Sequence, residues 1–299
     1  ASRIGEAIMT TVLKLWFSTI AATFASVGAL FIFAIIYACL LVAAYIFISI
    51  QEATIWQVFA TYALMVLIPI GFFILQASII NRVFDQKFRW RVILVDTVKF
   101  LAVSIPLLLV VWLLYYLLSK LSGRYPAPIV EVLPVKPPLP STAPTPLPTP
   151  LPTPPLHWPS LTFATLRFLL LGVVFPLTAI HLWIAVAGGG FRTLFRDGVK
   201  SFFKRIGLAV ARAFTPDSVF VYGLGLIIFF VLPYVALVPV FKLNGNKTEF
   251  VFFVLRLLLS FLFSLIGWVI TLSALARTVI ILPPEVSVPA VAQPTEAAA

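Results

Sequence analysis

The sequence predicts an all-α polytopic integral membrane protein, with six transmembrane helices and interfacial amphipathic helices on the cytoplasmic face. Three observations lead there. Hydrophobic residues make up 62% of the chain and charged residues only 10%, at a mean hydropathy of +1.11, which excludes an ordinary water-soluble domain. The apolar residues gather into six runs close to or above the ~20 residues that a membrane crossing needs. The basic residues, which give a net charge of +11, flank those runs. That placement points to anionic lipid as partner rather than nucleic acid.

Taken in order, Ile4, Ile8, Val12 and Leu15-Trp16 recur at helical spacing with Arg3, Glu6 and Lys14 elsewhere on the turn, which predicts a short interfacial helix. The first span follows at about 20–50. It is too long for a signal-peptide core and lacks a credible cleavage site, so it is read as a retained helix. Cys39, the single cysteine, lies within it, so no intrachain disulfide can form. A turn at Gln51-Glu52 leads to the second span, 54–80, which ends at Asn81-Arg82. The third is expected at 100–118, beyond the basic group Lys87, Arg89 and Arg91.

Between the third and fourth spans lies a proline-rich stretch, 123–160, holding 14 of the 24 prolines and the tandem Thr145–Pro148 and Thr149–Pro152. Each proline removes a donor and fixes φ, so neither helix nor sheet is expected. Polyproline II at about 3.1 Å per residue is. The fourth span, 161–187, stops at Gly188-Gly189-Gly190. The fifth, 215–241, opens on Thr215-Pro216-Asp217 with Thr215 as the expected N-cap. The sixth, 250–281, follows the turn Asn244-Gly245-Asn246, and a polar tail begins at Pro283. The organisation expected is thus 1–122, the loop 123–160, 161–282 and the tail 283–299.

Orientation follows from the short loops. Loops 81–91 and 188–214 carry four and six basic residues, against none at 51–53 and two at 242–249. The positive-inside rule therefore places both termini in the cytoplasm and the proline-rich loop outside. The hairpins and their basic interfacial helices are similar to those of bacterial inner-membrane proteins, and that membrane is the expected location.

The sharpest single pattern is Phe191–Phe214. Phe191, Leu194-Phe195, Val199, Phe202-Phe203, Ile206 and Val210 form an apolar stripe, while Arg192, Arg196, Lys200 and Lys204 make an i, i+4 ladder with Arg205 beside it. This predicts a helix lying in the membrane plane, its cations on lipid phosphates or on an acidic partner subunit. Within the spans, His181 is the one histidine. Ligation of a haem or pigment would need further support that the sequence lacks, so a hydrogen bond to Gln76 or Ser273 is expected and no cofactor is implied. Arg256 lies about 10 Å inside the sixth span, close enough to snorkel outward, with Glu249 as the expected partner.

There is no Walker loop, HExxH, GxSxG or metal-spaced Cys/His group. No acid falls in the middle of a span as bounded here. The expected role is a non-catalytic structural or accessory subunit of a larger membrane assembly, with other membrane subunits as partners. Prolines inside the spans (Pro69, Pro106, Pro176, Pro233, Pro239) and a faint three-unit repeat over 2–81, 82–187 and 190–281 favour the alternative, a small transporter or permease component. Topology is directly testable. Single cysteines at Ser141 and Ser201 should label from outside the cell and from the cytoplasm respectively. Labelling of Ser201 from outside with Ser141 protected would invert the orientation.

Overall fold

The computed structural model describes residues 2–51, 53–85, 87–125, 157–188, 192, 198–238 and 246–281. Most of the proline-rich loop, the tail and Arg196 fall outside them. The described residues form ten α-helices and no strand: α1 Ser2–Ala25, α2 Val27–Ser49, α3 Ile55–Asp85, α4 Trp90–Ser122, α5 Trp158–Leu169, α6 Phe175–Val186, α7 Gly198–Ala213, α8 Pro216–Leu226, α9 Leu232–Leu237 and α10 Asn246–Ile281. Six stretches are long and apolar enough to cross a membrane: α2, α3, α4, 158–186, 216–237 and α10. The chain is therefore read as a multi-pass membrane protein.

Several boundaries differ from those expected, each for a local reason. The amphipathic helix and the first span meet at Ser26, whose φ/ψ of −102°/51° leaves the helical region and separates α1 from α2. The side chains of Val12, Trp16 and Thr19, one face of α1, are buried. They belong to the packed core, because α1 lies against α8 and α10. The third span starts at Trp90 rather than near Phe100, which brings Asp96 and Lys99 inside a helix. The fourth starts at Trp158, where His157 holds the N-cap position and accepts from the Ser160 amide at 3.4 Å. Thr215 occupies its predicted N-cap position but its hydroxyl turns back to donate to the Arg212 carbonyl at 2.8 Å.

The fourth and fifth spans are each interrupted by one π-turn, Leu170–Val174 and Ile227–Val231. Each sits just before a proline, Pro176 and Pro233. A proline in a helix removes one amide and pushes away the carbonyl four residues back. The π-turn absorbs this by widening the register: Phe175 N–H donates to Leu170 O, and Leu232 N–H to Ile227 O. In the fifth span the displaced carbonyl is that of Phe229, and Ser264 Oγ on α10 donates to it at 3.3 Å.

The chain forms two compact units, residues 1–106 with 177–299, and 107–176; the boundaries fall at Pro106 and Pro176. The smaller unit holds the end of α4 and α5, joined by stacking of Tyr125 on Phe163 at 6.1 Å and by Arg167 over the Tyr115 ring at 5.7 Å. In the larger unit, burial concentrates in one half of the helices: Phe73–Asn81 of α3, Ile93–Ser104 of α4, Leu177–Val186 of α6, Ser218–Gly225 of α8 and Leu265–Thr278 of α10. Trp183 is its hub. The indole stacks on Phe100 at 5.9 Å, meets Phe72 and Phe73 edge-on, and donates to Ser104 Oγ at 2.9 Å.

One face of α10 is fitted to the interrupted fifth span. Arg256 donates to the carbonyls of Ala236 and Leu237, Ser260 to that of Pro233 at 3.2 Å, and Ser264 to that of Phe229. Further along this contact the helices approach closely at two glycines. A Cβ on Gly267 would lie 2.7 Å from the Phe229 amide nitrogen, and one on Gly225 would lie 1.9 Å from Thr271 Oγ1. Close approach through small residues is the usual means by which helices associate in lipid. Gly225→Ala and Gly267→Ala should therefore each lower stability by about 1–3 kcal/mol through overpacking. Gly223→Ala, on the same helix as Gly225 but with open space around it, should be neutral or slightly stabilising. Thermal unfolding in detergent reads the difference, and equal losses at Gly223 and Gly225 would contradict the close contact.

Candidate functional site

On α4 the inward face runs Ile93, Asp96-Thr97, Lys99-Phe100 and Val103-Ser104, all buried, while Leu94 and Val98 point outward. Helical spacing thus puts an acid and a base three residues apart on the core side of a spanning helix. Both are fully buried and form an ion pair, Lys99 Nζ on Asp96 Oδ1. The second carboxylate oxygen, Oδ2, accepts from Asn81 Nδ2 at 2.9 Å and from the Gly188 amide at 3.1 Å. Lys99 Nζ also donates to the Val186 carbonyl at 2.9 Å and the Gly188 carbonyl at 2.7 Å. An ammonium has three protons, and these three acceptors suffice for them.

The arrangement works because α6 ends here. Gly188 takes φ +76°, a left-handed conformation open to glycine at little cost. That turn aims one amide and two carbonyls at the pair. The carbonyl-rich end of α6 favours a cation, and Lys99 supplies it from another helix. Asp96 neutralises the lysine, and Asn81 brings in α3. These contacts tie α3, α4 and the end of α6 to one another.

The expected intramembrane polar residues are arranged otherwise. Gln76 is buried and accepts from Trp268 Nε1 at 2.8 Å rather than meeting His181. His181 is buried too, and its Nε2 has no hydrogen-bond partner among the described residues; the same holds for Gln76 Nε2 and Ser78 Oγ. Arg256 spends its donors on the end of α9 instead of reaching Glu249, which stands exposed. A cation at a helix C-terminus is favourable, which explains the choice.

Of the basic ladder, Arg192, Lys200, Lys204 and Arg205 are exposed. On α7, Ala209 and Ala213 pack inward, while Val199 and Phe203 remain 60% and 65% exposed beside them. The apolar stripe is therefore wider than the protein covers. Arg212, at the last turn, is half-buried. Burial lowers its pKa from the ordinary guanidinium value, and neighbouring Asp217 opposes that shift.

A second polar feature lies where α1 bends into α2. A cleft of about 260 Å³ is bounded by Ala22, Thr23, Ala25, Ser26, Leu30 and Phe33 on that side and by Arg82, Val269, Ser273 and Arg277 on the other. Arg82 reaches Ser26 Oγ at 3.4 Å. Neither this cleft nor the Asp96–Lys99 pair was anticipated. The pair lowers local hydropathy, so it reads as flanking charge; its only sequence signal is opposite charge at i, i+3 on an otherwise apolar face.

Comparison with protein-family models, curated proteins and solved structures finds no match, so the residues must be read from their own chemistry. The pair yields a clear expectation. Lys99→Ala leaves a carboxylate buried without its counter-charge and should cost about 3–5 kcal/mol, whereas replacing both members (Asp96→Asn with Lys99→Met) should recover most of that loss. Folded yield on size exclusion and thermal unfolding in detergent measure both. A Lys99→Ala protein as stable as the parent would refute the pinning role.

Proposed function

We propose that the protein is a non-catalytic structural or accessory subunit of a larger membrane assembly. The observation that carries this reading is the contrast between the two halves of the larger unit. One half is closely packed. In the other, the sixth span leaves Phe250, Val251, Phe253, Val254, Leu255, Leu257 and Leu258 exposed around its circumference, and α3 leaves Ile55, Trp56, Phe59 and Tyr62 exposed. Such aromatic-rich surface, exposed among the described residues, suits packing against helices of other subunits.

The charges within the spans support the same reading, since buried Asp96 and Lys99 and half-buried Arg256 are engaged in holding helix ends. In this proposal both termini are cytoplasmic, in a bacterial inner membrane. The amphipathic α7 lies on the cytoplasmic face, its basic residues on anionic headgroups at about 1 kcal/mol each. The alternative, a small transporter component, draws on the two π-turns ahead of Pro176 and Pro233, because π-turns recur where helices must deform for function.

Purification from native membranes in mild detergent separates the two. The subunit reading expects stoichiometric co-purifying membrane proteins, released by polar substitutions at Phe253 and Leu257. A lone monomer or homodimer that moves a solute across proteoliposomes would overturn it in favour of transport.

A further inference from the structure

The cleft at the α1–α2 bend has the chemistry of an anion site. Arg82 near the end of α3 and Arg277 near the end of α10 both line it, and both are half-buried. No aspartate or glutamate is among the lining residues. The bond that Arg82 makes to Ser26 Oγ is long, at 3.4 Å. Arg277 makes no hydrogen bond or ion pair among the described residues. A guanidinium carries five donors in a fixed fork that matches phosphate and carboxylate. Withdrawing two such groups from water without a counter-charge is costly unless an anion arrives.

A cation near a helix C-terminus also has a simpler use, on the last carbonyls. Arg256 shows what that looks like in this molecule, with its guanidinium bonded to the carbonyls of Ala236 and Leu237. Arg82 and Arg277 differ, since neither is bonded to a carbonyl and both face one cavity. The other lining residues narrow the ligand further. Ser26 and Ser273 offer hydroxyls beside the arginines, while Ala25, Ala29, Leu30, Phe33 and Val269 form an apolar wall. Val27 and Phe31, next along α2, are 69% and 66% exposed, so that wall leads onto surface that faces lipid. At about 260 Å³ the cleft is below the roughly 300–1,000 Å³ of sites for drug-sized ligands. It suits one headgroup, with any acyl chains left outside.

We propose that this cleft binds a phosphate group through Arg82 and Arg277, the phosphate being carried by a membrane lipid or free in solution. The site is distinct from the α7 ladder and does not depend on the chain joining a larger assembly. Full-length protein, delipidated in detergent, can be titrated with phosphatidylglycerol in mixed micelles and separately with inorganic phosphate, and binding followed by native mass spectrometry and thermal shift. With a lipid source, one phosphatidylglycerol binds per chain, and Arg82→Gln or Arg277→Gln weakens it roughly tenfold or more, the value of one charge-assisted hydrogen bond. Lys120→Gln with Lys247→Gln, exposed cations outside both the cleft and α7, leaves that binding unchanged. With a solution source, inorganic phosphate alone stabilises the parent protein and neither arginine variant. Phenylglyoxal modification of the parent protein covers the case in which the variants fail to fold: ligand should protect Arg82 and Arg277 while Arg91 and Arg124, exposed and outside the cleft, still react. Binding that is equal in parent and arginine variants, or ligand that protects neither arginine, would overturn the proposal.

Discussion

Two opposite charges buried together must answer one another and also satisfy every remaining proton and lone pair, and that requirement organises the larger unit. Beyond the ion pair itself, Asp96 Oδ2 and Lys99 Nζ find their further partners only because α3 brings Asn81 and the end of α6 brings Val186 and Gly188 to the same place. The geometry constrains neighbours in turn. With its C-terminus fixed, α6 presents Trp183 to Phe72, Phe73, Phe100 and Ser104, so the aromatic core and the polar network locate one another. A buried ion pair is poor evidence of net stability. Its value here is directional, since apolar packing alone would allow these helices to slide and the pair does not.

Along α10 the constraint takes another form. Pro233 interrupts the fifth span, and an interrupted helix in lipid leaves carbonyls that water cannot reach. Arg256, Ser260 and Ser264 recur every four residues, so they stand in a row facing that interruption. Gly267 then admits the backbone at Phe229, and Gly225 admits the Thr271 side chain. The defect in one helix is thus matched by a sequence written into the other.

How far this was legible in the sequence depends on the length scale of the signal. Six spans were readable because hydropathy sums over about 20 residues and tolerates local error. The proline breaks and the Gly188 stop were readable because they act through their own backbone. The Asp96–Lys99 pair was not, because its partners lie on other helices and a charged pair shortens the apolar window that would have contained it. His181 and Gln76 show the same limit. Both were recognisable as intramembrane polar residues, yet Gln76 bonds to Trp268, 192 residues away. Arg256 was given Glu249 on its own helix as partner, when the end of α9 offered converging carbonyls. The arginine cleft was illegible for a related reason, since Ser26, Arg82 and Arg277 are brought together only by the bend and by packing.

The long sequence separation in the buried network has a consequence for how the chain is made. Asp96 and the Gly188 amide it accepts from are 92 residues apart. At about 5–20 residues per second of synthesis, the third span precedes that partner by roughly 5–18 seconds. During that interval neither the Gly188 amide nor the α6 carbonyls exist to receive the two charges. Their spacing of three residues on one helix lets them shield each other meanwhile, at the end of α4 nearest the membrane surface. The third span therefore enters the membrane carrying a provisional version of its final contact, which the end of the fourth span completes.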